Sequence, residues 1–427
     1  MNILFTNITI NSPLDNINSQ LNLWVKDGTI YQISPNTINP DSDTEIMDGK
    51  DLTALPGLFD MHVHFRDPGF EQKEDIFSGV ASAANGGFTG VLIMPNTKPC
   101  IDNKTVVEYI RSKSQNLITD VYVASALTQS MEGKTISNML EMTEHGALLF
   151  TDDGKCVVNS EVMRRAFDYA APKNLLIAQH CEDNALTDNF DMNESNLSVQ
   201  LGLKGYPSVA EEVILARDIM LSHYCGNRRY HAQHVSTAGS VQIIRQAKEK
   251  NPNISCETTP HHFSLTEDHL VEFNTNYKMN PPLRQQKDID AIIEGLKDGT
   301  IDVIACDHAP HTQLEKDVEF DKAPYGIIGL ETSFGLSYTN LVAKGYLSLN
   351  DLIFKMSINP RKILGLPEIH IKSNNPANLT IVNTNVEWIV NTDNFKSKSR
   401  NTPFEAMKLK GKVCWTINNN QITKSSL

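Results

Sequence analysis

The chain lacks any long hydrophobic run. Its longest apolar stretches, such as Gly90 to Pro95, fall far short of the ~20 residues needed to cross a bilayer. It lacks a basic leader as well: the opening MNILFTNITINSP has no Lys or Arg and only short apolar clusters, so no signal peptide is expected. No CxxC pair occurs, and the seven cysteines stand singly. That disfavours a cysteine-based zinc site and suits reduced thiols in a cytoplasmic enzyme. Basic residues are in deficit, 38 Lys and Arg against 51 Asp and Glu, for a formal net charge of −13. A broad nucleic-acid surface is disfavoured by this balance, whereas a small anionic substrate is compatible with it if basic groups gather in one pocket. Internal repeats and low-complexity segments are absent too.

What is present is the composition of a globular protein, 40% hydrophobic and 21% charged. At 427 residues the chain exceeds one ordinary core, so a large domain with a satellite is expected. The first fifty residues alternate apolar and polar positions (Ile3, Phe5, then Leu21, Leu23, Val25) around turn signals such as Asp27-Gly28, and the last sixty do likewise. Both ends therefore read as strands of one composite β domain, residues 1–52 plus 368–427. Between them, in 53–367, eight β-branched runs alternate with helix-like segments: Leu55–Phe65, Gly90–Pro95, Val121–Leu127, Ala147–Thr151, Leu175–His180, Arg229–Val235, Asn253–Thr259 and Asp302–Asp307. Eight such units predict a parallel (β/α)₈ barrel of the TIM type.

A barrel of this kind takes its catalytic groups from the C-terminal ends of its strands. Those ends carry His62 and His64, Asn96, Asp152-Asp153, His180, His234 and Asp307-His308. One such residue is ordinarily a cap; six strands ending this way are hard to explain as caps. Strict alternation along the first run would put Asp60, His62, His64 and Arg66 on one face and Phe59, Met61, Val63 and Phe65 on the other, packed on the helices. Neutral imidazoles two apart on a strand can share one zinc ion. Of the other histidines, His231 lies three residues before His234 and is expected to be structural. His261 and His262 follow Pro260 and have little call on a metal, and His145, His223, His269 and His370 are expected in solvated settings.

Here the sequence resembles the amidohydrolase superfamily and, within it, the stand-alone bacterial dihydroorotases. The HxH of His62 and His64 marks the superfamily broadly. Narrower are Phe65-Arg66-Asp67-Pro68-Gly69, Met94-Pro95-Asn96-Thr97, Phe150-Thr151-Asp152-Asp153-Gly154, His180-Cys181-Glu182-Asp183, Asp307-His308-Ala309-Pro310-His311 and Gly329-Leu330-Glu331-Thr332, in family order. The terminal β segments suit the β-sandwich that such enzymes carry beside the barrel. The resemblance implies two zinc ions per chain: His62 and His64 on one, His180 and His234 on the other, Asp153 bridging and Asp307 at the first. Many relatives bridge with a carbamylated lysine from strand four, but no lysine stands at that strand end. Asp152 is the alternative bridge, and Lys155 a more distant one.

By the same resemblance, Arg66, Asn96 and His311 hold the substrate carboxylate. Asn280 contacts the ring, and the backbone at Tyr325 and Gly326 completes the site, with tyrosine where relatives carry phenylalanine. The implied reaction is reversible cyclisation of N-carbamoyl-L-aspartate to L-dihydroorotate in pyrimidine biosynthesis, with Asp307 as the proton carrier. A small-molecule substrate, no nucleic acid, no membrane and a homodimer complete the expectation. The polar stretch His311 to Pro324 reads equally as a mobile lid or a solvated loop. Two rivals stand beside this reading: another cyclic amidase of the allantoinase or dihydropyrimidinase type, and an inactive scaffold homologue. Arg66 with Asp-Pro-Gly favours a carboxylated ring over the first. A full set of candidate ligands argues against the second.

Overall fold

A computed structural model describes residues 1–427. Its centre is an eight-stranded parallel sheet in sequential order: Leu58–Val63, Phe88–Ile93, Asp120–Ser125, Ala147–Phe150, Leu176–Gln179, Tyr230–Ala232, Ile254–Thr258 and Val303–Ile304. The cylinder closes where Val63 bridges His308 in parallel and His64 N donates to His308 O at 2.9 Å. The (β/α)₈ expectation is borne out. No helix is long and apolar enough to cross a membrane.

Two apolar layers keep the barrel rigid. Phe59, Met61, Leu92, Met94, Ala124 and Leu149 belong to a buried cluster that fills the strand cylinder. Val91, Ile93, Val123, Phe150 and Ile177 alternate with it and belong to the larger cluster beneath the helices. Each such side chain, once fully buried, contributes about 1.5–3 kcal/mol relative to exposure. The helices are cut to this surface. Ser160–Ala170 begins because the Asn159 side chain accepts from Glu161 N and Val162 N, and it buries Val162, Met163, Ala166, Phe167 and Ala170 at helical spacing.

Both chain ends build a second eight-stranded sheet, in which Asn2–Ser12, Ile17–Lys26 and Thr29–Ser34 meet Leu379–Ile389, Lys408–Asn418 and Gln421–Lys424. The hinge between sheets is Gly57. The run that reads as one strand from Leu55 is two: Thr53–Pro56 pairs with Leu379–Val382 of the terminal sheet, and Leu58–Val63 begins the barrel. A Cβ at Gly57 would stand 2.0 Å from Asn378 Oδ1 and 2.2 Å from Thr89 Oγ1, two atoms that hydrogen-bond each other at 2.7 Å. Gly57→Ala is therefore expected to lower unfolding stability by about 1–3 kcal/mol in urea titrations, the usual cost of overpacking. An unchanged midpoint would show that the junction can give way.

The first barrel strand departs from simple alternation. Its register against the second strand shifts between Asp60 and Val63, as at a β-bulge. Phe59 and Met61 consequently join the barrel interior, not the helix layer, while Val63 and Phe65 do pack under the helices. The Asp60 carboxylate fills the gap, accepting from His62 N and from Cys306 N, each at 3.0 Å. One side chain thus clamps the strand that carries His62 to the strand that ends at Asp307.

Candidate active site

The strand ends converge on a cleft of about 270 Å³ lined by His64, Arg66, Asn96, Asp153, His180, His234, Asn280, Asp307, His311, Tyr325 and Gly326, among others. His62 lies just beneath, fully buried. Three of these residues hold left-handed backbones: Arg66 at φ 61°, His234 at φ 32° and Asp307 at φ 47°. Such conformations cost non-glycine residues of order 1–3 kcal/mol and cluster where side chains must be aimed against the run of the strand.

His62 Nε2 lies 3.3 Å from Asp153 Oδ1 and 3.5 Å from Asp307 Oδ1. His64 Nε2 lies 2.9 Å from Asp307 Oδ1 and 3.4 Å from Asp153 Oδ2. His234 Nε2 approaches Asp153 Oδ1 at 3.5 Å and His180 Nδ1 at 2.8 Å. Three groups of these side chains, His62 with His64 and Asp153, His62 with His234 and Asp307, and Asp153 with His180 and His234, bring ligand atoms within 4.8 Å of one another. His62 Nε2, Asp153 Oδ1 and His234 Nδ1 are buried and have no hydrogen-bond partner. Orphaned buried polar atoms are costly, and a cation would satisfy the first two. The donor set, imidazole nitrogen with carboxylate oxygen, fits a borderline metal ion such as zinc.

The charges agree with that fit. Burial alone would push the His62 imidazole down, but Asp153, Asp307 and Glu257 hold it well above its usual value. Burial would raise Asp307, yet His62 and His64 keep it well below the carboxylate range. A positive charge among these carboxylates is what the site favours, and a metal ion supplies it without a proton. The outward nitrogens are anchored too: His62 Nδ1 meets Glu257 Oε1 at 2.5 Å, His180 Nε2 meets Glu182 Oε2 at 3.0 Å, and His64 Nδ1 meets Asn96 Oδ1 at 2.8 Å. Such partners fix ring orientation in metal-binding histidines.

Asp153, not Asp152, faces this cluster. Asp152 accepts from Thr128 N at 2.9 Å and from the Thr128 hydroxyl, which turns it away. Lys155 is exposed and outside the cleft. His231 points into the barrel, where its Nε2 meets Glu257 Oε2 at 3.2 Å. His262 is held by Thr259 and Pro281 O. His145, His223, His269 and His370 lie outside the cluster, partly or fully exposed.

Arg66 has no carboxylate partner of its own. The neighbouring Asp67 is taken by Lys113 at 2.8 Å, and Asp60 by backbone amides. Arg66 Nε donates to Pro310 O at 3.3 Å, and burial lowers the guanidinium to about 10, still charged at neutral pH. Asn280 Nδ2 donates to Glu182 Oε2 at 2.9 Å, leaving its buried Oδ1 unpartnered. His311 is less free. Its Nε2 donates to Tyr325 O at 2.9 Å and its Nδ1 lies 3.3 Å from Lys73 Nζ. The Gly326 backbone is likewise occupied: its N–H donates to Lys278 O at 3.0 Å, and its carbonyl accepts from Asn401 Nδ2 at 3.0 Å.

The stretch His311 to Pro324 is anchored at several points along its length. Lys316, buried, donates to Thr275 O and Pro324 O, and Lys278 to Phe320 O and Asp321 O. Glu182, Glu257 and Asn401 support the site without having been given a role from the sequence, where Glu182 stood only as part of the His180–Asp183 motif. The first two could have been suspected as acidic groups in or beside apolar strand runs; Asn401 carries no local signal.

Residues 52–240 match a family model described as dihydro-orotase-like. The chain is 44% identical to a dihydroorotase of Syntrophus aciditrophicus over 98% of both chains. It is 45% identical to one of Acetivibrio thermocellus over 96% of both. The chain belongs to the dihydroorotase family. An L-hydantoinase of Arthrobacter aurescens shares the fold, with a TM-score of 0.87 over 99% of this chain and 96% of that one, at 23% identity.

Proposed function

We propose that the chain is a zinc-dependent dihydroorotase, interconverting N-carbamoyl-L-aspartate and L-dihydroorotate as a step of pyrimidine biosynthesis. The observation that carries the proposal is an unpaired guanidinium, Arg66, sharing one small cleft with a buried His/Asp cluster that suits a metal. The family membership supports the same activity. Seven free cysteines suit a reducing cytoplasmic setting.

His62 and His64 would hold one ion, His180 and His234 a second, with Asp153 between them and Asp307 at the first. Zinc bound there supplies a water acidified towards neutrality and a polarised ring carbonyl. The chain's own residues do the rest. Arg66 pairs with the substrate carboxylate, a planar fork that carboxylates accept in bidentate fashion. The Nδ2 group of Asn96, whose Oδ1 is bound by His64, is a second donor to that carboxylate, and His311 completes the set by turning one ring nitrogen from its protein partner. Asn280 Oδ1 accepts from a ring N–H. In ring opening, Asp307 removes a proton from the attacking water and passes it to the departing ring nitrogen; in closure it carries the proton back.

The test is to count metal in the purified protein and follow ring opening of dihydroorotate, dihydrouracil and allantoin side by side. About two zinc ions and selective turnover of dihydroorotate are expected. Faster turnover of an uncharged ring would overturn the substrate assignment, and a metal-free, inert protein would favour the scaffold reading.

A further inference from the structure

Glu182 joins two parts of the site that the reaction uses separately. Its Oε2 meets His180 Nε2 at 3.0 Å and Asn280 Nδ2 at 2.9 Å, and its Oε1 accepts from Thr187 Oγ1 at 2.5 Å. The side chain is buried and lines a second cavity of about 400 Å³ that shares Asn280 and Tyr325 with the main cleft. A carboxylate can only accept, so the contact with His180 Nε2 is a donation from that ring. Every neighbour of the carboxylate is thus a donor.

We propose that Glu182 is a specificity-setting positioning residue: by accepting only, it holds the NH₂ end of Asn280 and leaves the carbonyl oxygen as the free end of the amide, the end offered to the substrate ring. The two ends of an amide are nearly isosteric, and a free asparagine would present either. The buried, unpartnered Asn280 Oδ1 is the result. The site is thereby built to reward a ring N–H and to reject a ring carrying an acceptor or an N-alkyl group there, because an unpaired buried acceptor is penalised far more than a lost contact. The inference rests on the assignment of Asn280 to the substrate ring.

The experiment is a double-mutant cycle on the zinc-loaded full chain, with KM, kcat and zinc content measured for Glu182→Gln, Asn280→Ala and the pair. A glutamine can turn its own amide towards Asn280 and release the fixed orientation. Glu182→Gln is expected to raise KM for dihydroorotate about tenfold, and Asn280→Ala by at least as much, with the pair no worse in KM than Asn280→Ala alone. KM effects that multiply, or a Glu182→Gln enzyme with unchanged KM, would overturn the proposal. A fall confined to zinc content and kcat would do so too, because it would confine Glu182 to holding His180. Thr187→Val covers the case of misfolding: it removes a buried hydrogen bond to Oε1 but leaves an acceptor-only carboxylate facing Asn280, and is expected to keep KM within about twofold of the wild type at full zinc occupancy. A KM rise there as large as that of Glu182→Gln would overturn the proposal, because it would trace the effect to disturbed packing and not to the forced orientation of Asn280. Wild-type turnover of dihydroorotate, measured alongside, keeps failure of this assignment distinct from failure of the proposed activity.

Discussion

Asp307→Asn is expected to lower kcat by about 10²–10⁴-fold, the range that positioned acid–base groups contribute, while the fold survives. Asparagine is nearly isosteric with aspartate. It also tolerates the left-handed backbone at φ 47° better than most residues, so the strained turn after the eighth strand is not the variable being tested. It keeps an oxygen at the position that lies 2.9 Å from His64 Nε2. What it cannot do is take a proton. Because Asp307 also sits among candidate metal ligands, kcat must be read at saturating zinc with the bound metal counted. A variant that binds zinc fully and turns over at the wild-type rate would remove Asp307 from proton transfer. One whose activity returns in step with added zinc would reduce it to a ligand.

The barrel and most of its mouth were legible in the sequence because they follow from short-range rules. Eight runs alternating with helical segments leave little choice of architecture, and histidines and aspartates at strand ends have few other reasons to be there. What failed was the alternation through residues 59–65. That rule assumes an unbroken pleat, and the shifted register between Asp60 and Val63 moves Phe59 and Met61 into the barrel while still delivering His62 to the site. The choice between Asp152 and Asp153 was beyond sequence for a related reason. It depends on Thr128, 24 residues earlier, capturing one of two chemically identical neighbours. Asn401 is the extreme case. It arrives from the C-terminal segment to hold His311 N at 3.0 Å and Ala309 O at 2.9 Å, a tertiary placement that no local pattern foretells.

Arg66→Met separates the metal site from substrate choice, and its effect should depend on the substrate offered. Methionine keeps an unbranched stem without the charged fork and faces the same left-handed backbone at φ 61°, so local strain changes little. The lost element is a partly buried charge with no protein carboxylate to answer it. A charge-assisted hydrogen bond to a carboxylate is worth about 1.5–3 kcal/mol, so kcat/KM for dihydroorotate should fall by roughly 10- to 150-fold, chiefly through KM. Dihydrouracil, which has no carboxylate, should be processed no worse than by the wild type, and zinc content should stay whole. The preference for the charged ring would then collapse while the metal chemistry persists. If Arg66→Met instead lost zinc, or slowed both rings equally, the guanidinium would be a strut for the loop at Pro310. The charge that reads the substrate would then have to be sought at Lys73, beside His311.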